Sequence, residues 1–288
     1  KTGSRIAEVH NGSSLFTGDA GQGESNIRRW IIENDWLEAI VALPLNMFYN
    51  TGIATYIWVI SNRKPDHRRG KVQLIDATQW FKPLRKNLGK KNCELSDEDI
   101  QNICDVFLAF KETEQSKIFP NSAFGYWKVT VERPLRIAGI DSGKAYSPKE
   151  IKELKANGRV DESAPPVIRR IHKPGQFADP IHGLFEATVN GKLRVVEYEP
   201  DTELRDTEQI PLLEGGGIES YIRREVLPYV PDAWVDNTKT QIGYEISFNR
   251  YFYKPQPLRT LEEIRTGIQA LERETEGLLD EIIGKGSD

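Results

Sequence analysis

Residues 5–61 change their hydrophobic period from one short segment to the next. Three segments alternate or run apolar in the manner of β-strands: Arg5–His10, Leu37–Leu43 and Ile53–Ser61. Between the first two lie a glycine-rich loop and a segment in which Ile27, Trp30 and Ile31 recur at helical spacing. Ser25 suits the N-cap of this helix, because its hydroxyl can accept an N–H of the first turn. The pattern predicts an α/β unit in which the helix buries its apolar face on a sheet.

Beyond residue 62 the periodic signal is weaker, and capping residues mark the helices. Short strand candidates occupy residues 72–75, 124–134 and 193–198. Ser96 is a natural N-cap. The helix after it carries one apolar stripe, made of Ile100, Ile103, Cys104 and Phe107. The run Ser147-Pro-Lys-Glu150 has the form of a capping box and predicts a short helix that ends near Gly158.

The clearest periodic signal lies near the end of the chain. Seven positions step alternately by three and four residues: Leu261, Ile264, Ile268, Leu271, Thr275, Leu278 and Ile282. This is a heptad seam with one polar member, Thr275, and it is typical of coiled-coil packing. Residues 259–281 contain seven acidic residues against three arginines, namely Arg259, Arg265 and Arg273. We therefore expect an acidic helix that docks on another helix rather than on DNA.

The composition limits which kinds of fold, compartment and binding site the chain can have. The 288 residues are 38% hydrophobic and carry a net charge of −4, so a core can form and any contact with nucleic acid needs a local basic patch. Two cysteines, Cys93 and Cys104, provide neither a disulfide framework nor a zinc site, which favours a reducing, cytoplasmic setting. The longest apolar run has about eight residues, against roughly 20 for a membrane span. The four histidines do not pair at metal-ligand spacing, and no metal site is predicted.

Basic residues form two clusters. The first consists of Arg63, Lys64, Arg68, Arg69 and Lys71, and the second of Lys82, Arg85, Lys86, Lys90 and Lys91. The second cluster has no acidic residue between its ends, and phosphate binding requires such uncompensated charge. It is therefore either a DNA-binding segment or a solvated face.

The loop between the second and third predicted strands carries an aromatic pair, Phe48-Tyr49, followed by Asn50 and Thr51. Such rings are often core or turn filler. Enzymes that modify a base flip it out of the duplex and hold it between aromatic or apolar side chains, so the pair also suits a base pocket. The glycine-rich stretch 11–25 is a weak phosphate loop, because it lacks both G-x-G-x-x-G and G-K-[ST] and contains Asp19 and Glu24.

Several segments together resemble the modification subunits of type I restriction-modification systems, which are S-adenosylmethionine-dependent adenine-N6 DNA methyltransferases. The most specific are the run from Ser4 to Pro44 and the run Phe48-Tyr-Asn-Thr-Gly-Ile-Ala-Thr-Tyr-Ile-Trp58. The others follow in order: Gly70–Asp76, Leu95–Ile100, Phe124–Leu135 and Ile242–Ile246. The resemblance extends from residue 4 to about residue 283.

The resemblance implies a fold and a division of the chain. In that family a helical N-terminal domain precedes a Rossmann-like methyltransferase domain and a C-terminal extension. This chain would supply only the last strands of the methyltransferase sheet, in residues 1–80. A mixed α+β extension would follow in residues 81–255, and a coiled-coil-like docking helix in residues 256–288. The fold class expected is therefore α/β with a partial Rossmann-like sheet.

The resemblance also implies where the chemistry lies. The cofactor loop and the Asn-Pro-Pro-Tyr or Asn-Pro-Pro-Phe motif are upstream in such proteins, and the Pro165-Pro166 pair here is not that motif. We expect no catalytic residue in this chain and no S-adenosylmethionine bound to it alone, although the parent enzyme would use that cofactor. Phe48, Tyr49, Asn50 and Thr51 fall in the motif that faces the flipped base.

The expected partners are double-stranded DNA, the specificity subunit and the restriction subunit, with no membrane. The seam residues Leu261, Ile264, Ile268, Leu271, Leu278 and Ile282 would dock on the specificity subunit. The alternative is a non-catalytic module that uses the heptad helix to join an assembly and the basic segment to hold nucleic acid.

Overall fold

The computed structural model describes residues 3–253 and 260–284 and forms two compact units, Lys1–Tyr251 and Phe252–Asp288. The elements up to residue 132 are β1 (Arg5–Asn11), α1 (Ser13–Phe16), α2 (Gly23–Glu33), β2 (Leu37–Ala42), β3 (Thr55–Ser61), β4 (Lys71–Asp76), β5 (Lys82–Leu88), β6 (Lys91–Glu94), α3 (Asp97–Ala109), β7 (Ser116–Pro120) and β8 (Gly125–Glu132). The later elements are α4 (Pro148–Asn157), β9 (Ile168–Ile171), β10 (Phe185–Val189), β11 (Lys192–Tyr198), β12 (Asp206–Pro211), α5 (Gly217–Tyr221), β13 (Trp234–Tyr244), α6 (Phe248–Phe252) and α7 (Leu261–Gly284). The predicted boundaries after residues 80 and 255 stay predictions.

The largest sheet has five strands in the order β1-β3-β2-β4-β7. Only β2 and β4 run parallel to each other within it, and the remaining neighbours are antiparallel. β2 is buried along its whole length, because it lies in the centre of the sheet. The chain is thus a mixed α/β structure with a mixed sheet, as the sequence predicted in coarse terms.

Two smaller sheets follow the first. One has the order β12-β8-β13 and the other the order β10-β11-β9. A cluster of apolar side chains lies against the first of these sheets and includes Val129, Ile210, Ile222 and Val235. β8 pairs with the distant strands β12 and β13, whereas β10 and β11 form a hairpin, and most of these strands were not predicted.

Helix α2 differs from its prediction in both its cap and its buried face. Gln22, not Ser25, is the N-cap, and the exposed fractions of Ile27 and Trp30 are 59% and 57%. Ser25, Arg28 and Ile32 are buried instead. The physical reason is a polar contact with β13, because the Arg28 side chain donates hydrogen bonds to the carbonyl oxygens of Tyr244 (2.7 Å) and Ser14 (3.2 Å). Sequence periodicity selects the most apolar face of a helix, and here that face is exposed.

Replacing Arg28 with alanine should lower the free energy of unfolding by about 1.5–3 kcal/mol, because it leaves buried carbonyl groups without their charged donor. Its neighbour Arg29 is a matched control, since it forms only a half-exposed ion pair with Glu33. Arg29→Ala should cost less than about 1 kcal/mol. Urea unfolding of both variants measures the difference, and equal losses would show that the contact with β13 contributes nothing.

The other two capping predictions are confirmed. Ser96 caps α3 in a capping box with Asp99, and Ser147 caps α4 in a capping box with Glu150. The apolar stripe predicted for α3 is only partly right. Ile103 and Phe107 pack on the core, whereas Ile100 is 47% exposed and Cys104 is exposed.

In the second unit, Thr260 and Glu263 form a reciprocal capping pair at the start of α7. The seam residues Leu261, Ile264, Ile268 and Leu271 are 87%, 38%, 53% and 64% exposed. The hydroxyl of Thr275 donates to the carbonyl oxygen of Leu271 at 2.6 Å, within the same helix. Arg259 and the side chains of Leu278 and Ile282 lie outside the described residues. Across the described residues, no helix combines the length and apolar character that crossing a membrane requires.

Candidate nucleic-acid interface

The carboxyl ends of β2 and β4 mark one edge of the large sheet. These strands are parallel, and Ala42 lies opposite Asp76 where both end. Ligands of α/β sheets bind outside the carboxyl ends of parallel strands. From this edge the chain continues into the loop 43–54 after β2 and into the β5–β6 hairpin after β4. The two segments singled out for nucleic acid are therefore neighbours in space.

The loop 43–54 carries the aromatic pair at its tip. A hydrogen bond from the Thr51 N–H to the Phe48 carbonyl oxygen (3.3 Å) closes the turn, and Asn50 has a positive φ of 54° within it. Phe48 is 37% exposed and Tyr49 is 69% exposed. Both rings are therefore available to a ligand rather than committed to the core.

The basic stretch forms the antiparallel β5–β6 hairpin, which was not predicted as strands. Lys82, Arg85, Lys86 and Lys90 are exposed and Lys91 is half-buried. Within the described ranges, none of these five cations forms an ion pair with an acidic side chain. Their charge is thus uncompensated, which is what binding to phosphates requires.

The hairpin packs against the aromatic loop through β6 and through its turn. The Asn92 N–H donates to the Asn46 carbonyl oxygen at 3.1 Å, and the Cys93 thiol donates to the Leu45 carbonyl oxygen at 3.2 Å. Gly89, at a φ of +61°, lies so close to Asn50 that a Cβ there would overlap the Asn50 side chain. The basic hairpin and the aromatic loop therefore form one continuous surface, and no local signal in the sequence indicates that contact.

A cavity of about 830 Å³ lies beside this surface, between the hairpin and the ends of β2 and β3. We call it the amide pocket, because its polar lining consists of Asn46, Thr78, Gln79, Asn87, Asn92 and Asn249. Its apolar walls include Leu43, Leu45, Tyr56, Phe81 and Leu84. Phe48, Tyr49, Asn50 and Thr51 do not line it. The sequence did not single out this pocket.

Two members of the first basic cluster, Lys64 and Arg68, have a different role because they are buried inside the protein. Lys64 donates to Asp35 at 2.6 Å, and Arg68 stacks on the rings of Phe107 and Phe110 at 4.1 and 4.3 Å. Burial lowers the pKa of Lys64, although the hydrogen bond to Asp35 opposes that shift. These cations stabilise the fold and do not reach a ligand.

The glycine-rich stretch does not form a phosphate loop. It contains the short helix α1, and its Asp19 forms an ion pair with Lys128 of β8. The hydrogen bond from Lys128 lowers the pKa of Asp19, which therefore stays negative and would repel a phosphate. The described residues also contain no cluster of histidine, cysteine or acidic side chains that could hold a metal ion.

Comparison with known proteins finds a family match over the interface. Residues 1–125, which include the aromatic loop and the basic hairpin, match the N-6 DNA Methylase family. The type I restriction enzyme MjaIX methylase subunit of Methanocaldococcus jannaschii is 40% identical over 95 residues, covering 33% of this chain and 16% of that protein. The type I restriction enzyme HindI methylase subunit of Haemophilus influenzae is 45% identical over 110 residues, covering 38% of this chain and 23% of that protein.

A solved type I restriction-modification system methyltransferase subunit from Streptococcus thermophilus is 22% identical, with a TM-score of 0.36, over 42% of this chain and 24% of that one. The matched stretches span less than a quarter of each relative's length. The sequence matches confirm the resemblance to methylase subunits of type I restriction enzymes.

Proposed function

We propose that this chain, whose residues 1–125 match the N-6 DNA Methylase family, is the C-terminal part of a modification subunit that methylates adenine N6 in DNA. The observation that carries the proposal is the contact between the uncompensated basic hairpin and the exposed aromatic loop, at the carboxyl edge of the sheet. An enzyme that acts on a base must hold the DNA backbone and receive a base taken out of the stack. The two segments supply one surface for each task.

In the proposed mechanism the hairpin holds the duplex and the loop holds the base. Lys82, Arg85, Lys86 and Lys90 neutralise phosphates, which positions the DNA without specifying its sequence. Phe48 and Tyr49 then stack on the flipped adenine. Asn50 and Thr51 complete this base pocket, which is separate from the amide pocket. The parent subunit supplies the catalytic motif from residues outside this chain.

S-adenosylmethionine is the cofactor that the family implies, and the described residues do not fit it. Neither a carboxylate, which could bind ribose hydroxyls or the ammonium group, nor a glycine-rich turn lines the amide pocket. The glycine-rich stretch is occupied by α1 and the Asp19–Lys128 ion pair. No step of the mechanism is assigned to this cofactor through the residues of this chain.

The 288-residue chain alone should therefore bind no S-adenosylmethionine and transfer no methyl group. Isothermal titration of the cofactor into the chain measures this directly, with a subunit extended upstream through the cofactor loop as the positive control. Saturable binding at micromolar concentrations by the chain alone would contradict the assignment to the C-terminal part.

The proposed partners follow from the charge of the two exposed segments. The basic hairpin suits double-stranded DNA. The exposed seam of α7 suits a protein helix, because the acidic residues around it would repel phosphates. We assign this seam to the specificity subunit of the complex, which the restriction subunit would join in the complete system.

Changing Lys86 and Lys90 to glutamine should weaken DNA binding by the assembled complex about equally for specific and random sequences, because phosphate contacts carry no sequence information. The slope of log affinity against log salt should flatten by roughly 0.9 for each lost contact. Lys149→Gln with Lys173→Gln is the matched control, since both lysines are exposed and far along the chain from the hairpin. An unaltered slope in the hairpin variant would show that the cluster is only a solvated face, and it would remove the main support for the proposal.

A further inference from the structure

The described residues that line the amide pocket are uncharged, which determines the kind of ligand that it suits. None of the described residues that line it is acidic or basic, although five cations lie on or beside the hairpin that forms one of its walls. A metal ion, a free phosphate or a charged peptide would gain no opposite charge inside such a pocket. The structure therefore favours a neutral ligand.

The polar groups of the pocket indicate what kind of neutral ligand fits. Side-chain amides from Asn46, Asn87 and Asn92 offer both donors and acceptors, as do Gln79 and Asn249. Asparagine and glutamine amides form paired hydrogen bonds with the edges of nucleobases. This lining therefore suits a heterocycle with alternating donors and acceptors.

An aromatic wall supplies the second requirement. Phe81 lines the pocket and remains 41% exposed, although a phenylalanine side chain gains stability from burial. A ring left open in this way can stack on the face of a flat ligand. Base stacking on aromatic side chains is tolerant of sequence, because every base has a π-face.

Cations that can hold a phosphate flank the pocket-lining residues along β5. Asn87 follows Lys86 directly in β5, and Pro83 and Leu84 lie between Lys82 and Arg85. A neutral heterocycle that enters here would therefore be next to the positive charge that a phosphodiester seeks. The ligand that combines a neutral flat ring with an attached phosphodiester is a nucleotide within a DNA strand.

We propose that the amide pocket binds a second unstacked nucleobase, separate from the base at Phe48 and Tyr49. Phe81 stacks on the base, and the amides of Asn87 and Asn92 hydrogen-bond to its edge. The proposal rests on the proposed function, because the hairpin must hold the phosphates on either side of that base. The pocket thus adds a second base contact beside a hairpin that otherwise contacts only the DNA backbone.

The test uses the 288-residue chain and two single-stranded 12-mers of equal charge, one with normal bases and one with abasic sites throughout. Affinities are measured by fluorescence anisotropy in the Phe48→Ala/Tyr49→Ala background, which removes the other stacking site. The base-containing strand should bind roughly tenfold tighter. Phe81→Ala with Asn87→Ala should abolish the preference and leave the salt slope unchanged. Phe81→Trp should retain the preference, and quenching of the new tryptophan would report stacking.

Asn157→Ala, at an exposed position in α4, is the control for loss of an amide, and thermal melts show that each variant is folded. Equal binding of the two strands, or a preference that survives Phe81→Ala/Asn87→Ala, would overturn the second base site while leaving the hairpin as a DNA contact. Failure of both strands to bind would overturn the proposed function and the base site together.

Discussion

Methylation by the complete subunit, assembled with its specificity subunit, is expected to fall by roughly tenfold to a hundredfold when Phe48 and Tyr49 are both replaced by alanine. Stacking of a base on an aromatic ring is worth about 1–3 kcal/mol. The fold should not change, because the rings are 37% and 69% exposed and lie in a turn closed by backbone hydrogen bonding. Single-turnover methyl transfer to a duplex with one recognition site measures the effect on the step that needs the flipped base.

A matched control exists in the same loop. Ile53 is 56% exposed, so Ile53→Ala removes a comparable exposed apolar side chain without removing a ring. Its methylation rate should stay near that of the unmodified enzyme. If the aromatic double variant transfers methyl groups as fast as Ile53→Ala, the rings are turn filler and the base pocket lies elsewhere.

Local sequence signals were sufficient for β1, β2 and β3 and for the caps of α3 and α4. β1, β2 and β3 are short segments that alternate or run apolar, so their hydrophobic period alone indicates them. The caps at Ser96 and Ser147 depend on residues only three positions away. Such features are decided by neighbours along the chain, which is why they can be predicted.

The buried face of α2 could not be predicted in this way. Arg28 is buried because its guanidinium reaches the carbonyl oxygen of Tyr244, 216 residues later in the chain. Ser25 likewise exchanges hydrogen bonds with the backbone of Tyr244. The helix is thus positioned by hydrogen bonds to a distant strand, and an arginine or a serine gives no sign of such a partner in the sequence.

The candidate site also combines features that nearby residues indicate with features that depend on distant contacts. Phe48, Tyr49 and the five cations were identified from residue type and spacing. The β5–β6 hairpin that joins them was missed, because its exposed basic residues leave no alternating apolar face. Its position depends on contacts with the loop 43–54, such as that between Asn92 and Asn46. The amide pocket arises only from that juxtaposition, and so it could not be foreseen.

Complex formation with the specificity subunit is expected to fail when Ile268 and Leu271 are both replaced by aspartate. Both side chains lie in the heptad seam of α7 and are exposed, 53% and 64%, so a partner helix can cover them. Burying an unpaired carboxylate costs several kcal/mol. The cost of burying two of them would exceed the free energy that packing of a seam of this length contributes to docking. The rest of the chain should stay folded, because the first unit, residues 1–251, forms its own compact structure.

The control adds the same two charges elsewhere on the same helix. Thr266 and Gln269 are exposed and lie outside the seam, so Thr266→Asp with Gln269→Asp changes net charge and helix propensity in a similar way. Co-elution with the specificity subunit and a titration of the dissociation constant should show loss only for the seam variant. Loss in both variants would indicate that charge on the helix, rather than seam packing, governs docking. Undiminished capture by the seam variant would show that α7 is not the docking element.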